Sequence, residues 1–332
     1  MRRTTLKDVG DRVGVSAKTV SNVVNGTGWV SEDLAERVRA ALLELDYRPN
    51  NAARLLRGGR SGMIALALPD LRQSYFAELA AAFVDEAAKR STTVLINQTN
   101  ALADAERRIS DGVGLPILDG LILSPLALGA SELEKRVDST PMVLLGEHAD
   151  ATALPHVGVD NAAAARAATE YLLASGRTRI AAIGAQAAGP NETSKLRMAG
   201  YRQALKAAKV PWRPELVQRV GDFRRADGAE AIRRLLEAGT EFDAVFAFND
   251  LMALGALHAL SESGKRVPDE VAVVGFDDIE EGRYSTPSLT TVAPDKSAIA
   301  ALALDLLLGA PEPNTPVKHS QVPFRITKRE SA

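Results

Sequence analysis

The sequence predicts an α/β protein with a three-helix, helix-turn-helix head, a short helix-prone joint, and a two-lobed core built on parallel sheets. Three observations point there. Residues 5–26, TLKDVGDRVGVSAKTVSNVVNG, space apolar, turn and polar residues as two short helices joined by a tight turn require. From Met63 onward, near-continuous apolar runs alternate with alanine-rich amphipathic stretches, the pattern of a parallel sheet covered on both faces. One sheet of that many strands would be large for 332 residues, so two similar βα lobes are expected.

In the first helix Leu6, Val9 and Val13 recur at helical spacing, and Thr5 with Asp8 forms a cap-and-third-residue pair. Gly14 supplies the turn. Ser16 can cap the second helix, where Val20, Val23 and Val24 make one narrow stripe. At 100° per residue, Lys18, Asn22 and Asn25 fall opposite that stripe, with Ser21 on their flank. This outward face has a cation and hydrogen-bonding groups but no acid, which suits a major groove. A small helical hairpin with a solvated face has the same periodicity, so spacing alone leaves both readings open. Ser31 caps a third helix, with Glu32 and Asp33 in its first turn and Leu34, Val38, Leu42 and Leu45 on one face, ending before Pro49. The head is therefore residues 1–48.

The run GVSAKTVSNVVNG resembles the signature of the lactose-repressor (LacI-type) family of bacterial transcription regulators, and the resemblance extends from Thr5 to about Ile326. It implies double-stranded operator DNA as a partner. The residues expected to meet that DNA are Thr5, Ser16, Ala17, Lys18, Ser21, Asn22 and Asn25. Gly10 stands where the family usually has alanine, and a glycine inside a helix costs about 1 kcal/mol. Residues 50–58, NNAARLLRG, are helix-prone, too short to hold alone, and followed by GGRSG; residues 49–61 read as a joint. The resemblance implies more, a hinge helix ordered on DNA that wedges Leu56 into the minor groove, with Ala53 as the small residue permitting close approach.

Charge agrees with this division. Residues 1–60 hold 11 Lys and Arg against 7 Asp and Glu, a net +4, while the rest hold 29 against 35, a net −6. A basic head on an acidic body confines phosphate attraction to one end. With no cysteine, disulfides and zinc–thiolate sites are excluded. The N-terminus is charged throughout and lacks the apolar core of a signal peptide, and no apolar run is long enough to span a bilayer, so a cytoplasmic protein is expected.

Strand candidates are MIALALP, TVLINQ, GLILSP, MVLLG, HVGVD, RIAAIG, AVFAFN and VAVVGFDD. The stretch SLTTVAPDKSAIAALALDLLLG reads as a strand and a helix, and VKHSQVPFRITKRE as a closing strand pair. By resemblance, the effector-binding core (residues 62–332) is periplasmic-binding-protein-like and crosses between lobes. Lobe one then takes about 62–160 and 291–320, and lobe two about 161–290 and 321–332.

Ligands of open α/β sheets bind beyond the carboxyl ends of the strands. Tyr75, Phe76, Ser124, Phe223, Asn249 and Asp277 fall at such ends, and Arg197 near a helix start can point the same way. Rings that stack on a sugar face, with Asp, Asn and Arg for vicinal hydroxyls, suit a polyol. Singly, Phe76 and Phe223 equally suit core aromatics, Asn249 and Asp250 a helix cap, and Asp277 and Asp278 a loop pair. The resemblance matches Arg197, Phe223, Asn249 and Asp277 to effector-contacting positions, and puts Gly146 where some members carry an acid.

Enzyme readings lack their motifs. GAQAAG misses the dinucleotide glycine spacing, and neither a Walker lysine nor a G-x-S-x-G elbow occurs. His148 and His156 have no HExxH or carboxylate set beside them, so no metal and no cofactor is expected. The expected function is a repressor acting as a homodimer on a palindromic operator, controlled by a small effector, a sugar first of all. After FRIT only KRESA remains, with no leucine heptad for a tetramer. The rival reading, a soluble sugar-binding protein serving a transporter, leaves the basic head unused.

Overall fold

The computed structural model describes residues 4–47, 60–146, 154–186, 192–309 and 319–332. Ala53, Leu56 and His148 lie outside the described residues. The chain divides into two units, residues 1–61 and 62–332.

The first unit contains α1 (Leu6–Val13), α2 (Ala17–Asn25) and α3 (Glu32–Glu44). Thr5 and Asp8 close a reciprocal capping box on α1, and the Ser16 hydroxyl accepts from Thr19 N at 3.1 Å on α2. Ser31 occupies the cap position of α3 without a side-chain cap bond. Gly14 takes φ +79° as the turn demands. The three expected stripes meet in one small core around the fully buried Val9, Val20 and Val38, each burial worth about 1.5–3 kcal/mol. Gly10 is more than a weak point in α1. A Cβ there would lie 2.5 Å from Val15 O, so its absence lets the turn fold back against the helix.

The second unit is two six-stranded sheets. Sheet one runs in the order β11-β5-β4-β3-β1-β2, from β1 (Met63–Leu68), β2 (Thr93–Gln98), β3 (Gly120–Leu123), β4 (Met142–Leu145), β5 (His156–Val159) and β11 (His319–Val322). Every pairing in it is parallel. Sheet two runs β12-β10-β9-β8-β6-β7, from β6 (Ile180–Ala185), β7 (Val217–Arg219), β8 (Ala244–Ala247), β9 (Ala272–Phe276), β10 (Thr290–Pro294) and β12 (Phe324–Thr327). It is parallel except for β12 against β10.

Strand β1 is buried on both faces. Ile64, Leu66 and Leu68 pack with Leu79 and Phe83 of α4 (Ser74–Ala88) and with Ala303 and Leu307 of α12 (Lys296–Leu308). Ala65 and Ala67 face the opposite side, with Leu121, Leu123 and Leu133. In sheet two, α9 (Arg225–Glu237) and α10 (Asp250–Glu262) touch backbone to backbone at Gly228 and Gly255. Added Cβ atoms would lie 2.0 Å from Met252 O and 1.9 Å from Arg225 O.

The tail departs from the closing strand pair that periodicity suggests. Strands β11 and β12 are not a pair with each other. Pro323 separates them, and each joins a different sheet. Strand β10 stays in sheet two while α12 and β11 belong with sheet one, so the changes of sheet fall near Asp295 and Pro323, where the resemblance implied about 291 and 321. Periodicity identifies a strand but not its partner.

Candidate DNA-reading face and ligand cavity

On α2, Ser16, Ala17 and Lys18 are exposed at the N-terminal end, and Ser21 and Asn22 are half-buried one turn on. No acid occurs in the helix, and its amide end favours an anion such as phosphate. The Asn22 amide packs beneath Gly28, which takes φ +74°. Thr5 and Ser16 are already engaged as caps. The Thr5 hydroxyl donates to Asp8 Oδ2 at 2.7 Å, and the Ser16 and Thr19 hydroxyls are 2.9 Å apart. Both hydroxyls thus fix the ends of α1 and α2.

A cavity of about 430 Å³ opens at the carboxyl ends of the strands of both sheets. In each sheet the chain leaves one central strand to one side and returns on the other, so β1 adjoins β3 and β6 adjoins β8. Such reversal points leave a crevice beyond the strand ends. All seven residues expected from the sequence line it: Tyr75, Phe76, Ser124, Arg197, Phe223, Asn249 and Asp277.

Their local chemistry differs. Tyr75 and Phe76 open α4 as an edge-to-face pair with centroids 5.3 Å apart. Arg197, on α8 (Glu192–Ala207), lies with its guanidinium carbon 3.4 Å from the centre of the Phe276 ring. Its Nε donates to Asn161 Oδ1 at 2.7 Å, and Nη1 donates to Phe248 O. Arg197 therefore braces the sheet end as well as lining the cavity. Asn249 is the cap of α10. Its Oδ1 accepts from Met252 N at 2.9 Å while Nδ2 donates to Phe223 O at 3.0 Å, so it sets the loop that presents the Phe223 ring.

Asp277 sits at φ +119° and Asp278 at +50°. A side chain at the first value is strained by about 1–3 kcal/mol and needs its surroundings to hold it there. Arg329 does so by donating to Asp278 Oδ1 and, at 2.7 Å, to Leu289 O. Gly146 lines the cavity at φ +93° with open space where a Cβ would be. Its carbonyl faces His156 Nε2 instead.

Two family models match the chain: residues 5–50 fit the bacterial regulatory proteins of the lacI family, and residues 169–332 fit the periplasmic binding protein-like domain. The ribose operon repressor of Halalkalibacterium halodurans is 36% identical over 306 residues, covering 92% of this chain and 89% of that protein. This chain belongs to the lacI family. Among solved structures, a regulator from Sanguibacter keddieii described as of the LacI family is 43% identical with a TM-score of 0.74, over 82% of this chain and 99% of that one. The lac repressor dimer bound to operator and an anti-inducer is 28% identical with a TM-score of 0.83, over 99% of each chain. The protein is a DNA-binding transcription regulator.

Several residues of this regulator escaped the sequence reading. Asp70, paired with Arg72 at 2.9 Å, and Asp222, paired with Arg224 at 3.4 Å, also line the cavity. The guanidinium of Arg72 holds the Asp70 carboxyl below its usual range. Both pairs directly follow strands or their loops, so the strand-end rule that found Tyr75 and Phe223 would have found them. Glu106, wholly buried, accepts from Leu126 N and Leu128 N at 2.8 Å each. It fixes the loop after β3 that carries Ser124, a role with no signature in the sequence. Asp250 is also wholly buried. It accepts from Thr291 Oγ1 at 2.6 Å and Ile279 N at 3.0 Å, tying β10 to the loop after Asp277.

Proposed function

We propose that the regulator is a cytoplasmic repressor that binds a palindromic operator as a homodimer and is controlled by a small polyol, a sugar first of all, in the cavity between its two sheets. The observation that carries this reading is the convergence of flat rings, an arginine, an asparagine and an aspartate on one cavity. Rings match the apolar face of a sugar, and the polar set matches its hydroxyls with directional bonds. Effector control requires only that the ligand bind one arrangement of the two sheets better than another. The relative named as a ribose operon repressor supports a sugar. The lac repressor dimer on operator supports two-fold DNA binding, with half-sites about one helical turn apart. Ala53 and Leu56 are assigned to the hinge by resemblance, Leu56 as the wedge.

The reading is tested by shift assays on the promoter region beside its own gene, with and without pentoses, hexoses and nucleosides. Thermal melts identify the ligand, since one at 100 times its Kd adds about 2.7 kcal/mol. Specific binding that responds to none of these compounds, with no compound raising Tm, would overturn the sugar assignment.

A further inference from the structure

Among the described residues, the charged side chains lining the cavity balance, Asp70, Asp222 and Asp277 against Arg72, Arg197 and Arg224. Four of them form two pairs, each within one loop. Arg72 meets Asp70 with its fork, Nε to Oδ1 at 2.9 Å and Nη2 to Oδ2 at 3.0 Å, and Arg224 Nε lies 3.4 Å from Asp222 Oδ2. The loops belong to opposite halves of the core, one following β1 and the other β7. Glu281, on the short helix Glu280–Arg283, ties together the segments just beyond them. It accepts from the Ser74 hydroxyl on one side and from Arg225 Nη2 at 3.0 Å on the other. The pairs also act on each other. The Asp70 carboxyl is held below its usual range by Arg72 first, and by the charge of Arg224 from the opposite half as well. The third arginine, Arg197, already donates to Asn161 Oδ1 and Phe248 O.

We infer, on the reading of this cavity as a polyol site, that the effector carries no ionised group and that the Asp70–Arg72 and Asp222–Arg224 pairs enforce this. A phosphate or carboxylate binds an arginine through the same fork that Asp70 already fills. To take Arg72 or Arg224 it must displace the neighbouring carboxylate or lie beside a like charge. Elsewhere in the cavity it meets Asp277, whose side chain is buried. An ammonium group has the converse difficulty with the arginines beside Asp70 and Asp222. A charge taken out of water without a partner of its own is costly. Hydroxyls donate to carboxylates and accept from guanidinium groups, so a neutral polyol leaves both pairs standing. The pairs thus select by what they penalise in the wrong ligand.

The test titrates the full-length protein by calorimetry with matched sets of compounds. Ribose is set against its terminal phosphate ester, glucose against glucosamine, glucuronate and its terminal phosphate ester, and adenosine and cytidine against their monophosphates. At least one neutral member should bind, with its charged counterparts about a hundredfold weaker or worse. Asp70→Asn frees the Arg72 fork and should narrow the gap to the phosphate ester about tenfold. Asp222→Asn should do the same at Arg224, so a variant that fails to fold leaves the other to decide. A charged member that binds as tightly as its neutral counterpart, or more tightly, overturns the inference while the polyol reading stands. A gap that neither variant narrows overturns it too, since the two pairs would not be its source. Binding by no member of any set would overturn the polyol reading itself and the inference with it.

Discussion

Lys296 and Glu78 form an ion pair 2.9 Å long that joins the two halves of the core. Lys296 opens α12 where the chain changes sheets, and its ammonium also donates to the carbonyls of Asp277 and Asp278 at 2.6 and 3.0 Å. Glu78 lies on α4 against sheet one and accepts Glu280 N at 2.8 Å. One cation thus holds the strained turn at the cavity and fastens it to the opposite half.

Lys296→Met should therefore lower stability by about 2–4 kcal/mol, because Glu78 and two carbonyls lose their shared donor in a site that is only 14% exposed at Lys296. Effector affinity should fall with it, as the Asp277 turn loosens. Glu78→Gln keeps an acceptor for Glu280 N and should cost about 1 kcal/mol. Urea unfolding and ligand calorimetry on both variants check the order; equal losses would mean the pair acts through its charge alone.

Asp277→Gly should separate stability from response. Glycine accepts φ +119° without strain, so the variant should gain about 1 kcal/mol after the entropy of glycine is set against the relief. It should nevertheless lose the effector, because the carboxylate lining the cavity is gone. Unchanged ligand affinity would remove Asp277 from the site.

Asp250 gives the core a pH dependence of unusual sign for an acid. Burial pushes its carboxyl up to about 6, so the folded protein keeps a proton that the unfolded chain has released. The group then costs stability increasingly as pH rises from about 4 to about 6, roughly 3 kcal/mol in all, and the cost is fully present above that window. The difference in unfolding free energy between the parent protein and Asp250→Asn should fall through this range and level off. A difference that is flat from pH 4 to 7 would show that Asp250 keeps an ordinary value.

On DNA, Asn22→Ala should relax preference at one symmetric operator position at a cost of about 1–3 kcal/mol. Binding profiles on single-position operator variants measure this. Uniform weakening on every sequence would make Asn22 a backbone contact.

Much of this was legible in the residues. The stripe of Val20, Val23 and Val24 and the cap at Ser16 define α2 because both follow from helical geometry alone. The cavity residues were legible for a different reason: strand ends are visible in sequence, and reversals of strand order collect those ends. What escaped was everything made by partners distant in sequence. Glu106 on the Leu126–Leu128 amides and Arg329 on Asp278 depend on which segments become neighbours. The division of β11 and β12 between sheets was an expectation of the resemblance and not of periodicity, since a four-residue alternation carries no address.

That division also orders the making of the molecule. His319 completes sheet one by pairing with His156, and Phe324 pairs with Pro294 in sheet two, so neither sheet can close its edge until both distant segments have left the ribosome. The head needs nothing beyond residue 47 for its own core. Local contacts form fast and remote pairings slowly, so an emerging or truncated chain would carry a folded DNA-reading head before it had any means of sensing a ligand. Premature termination in the core would then leave a head that is deaf to the effector, and its grip on DNA would depend only on whether two such heads can still meet.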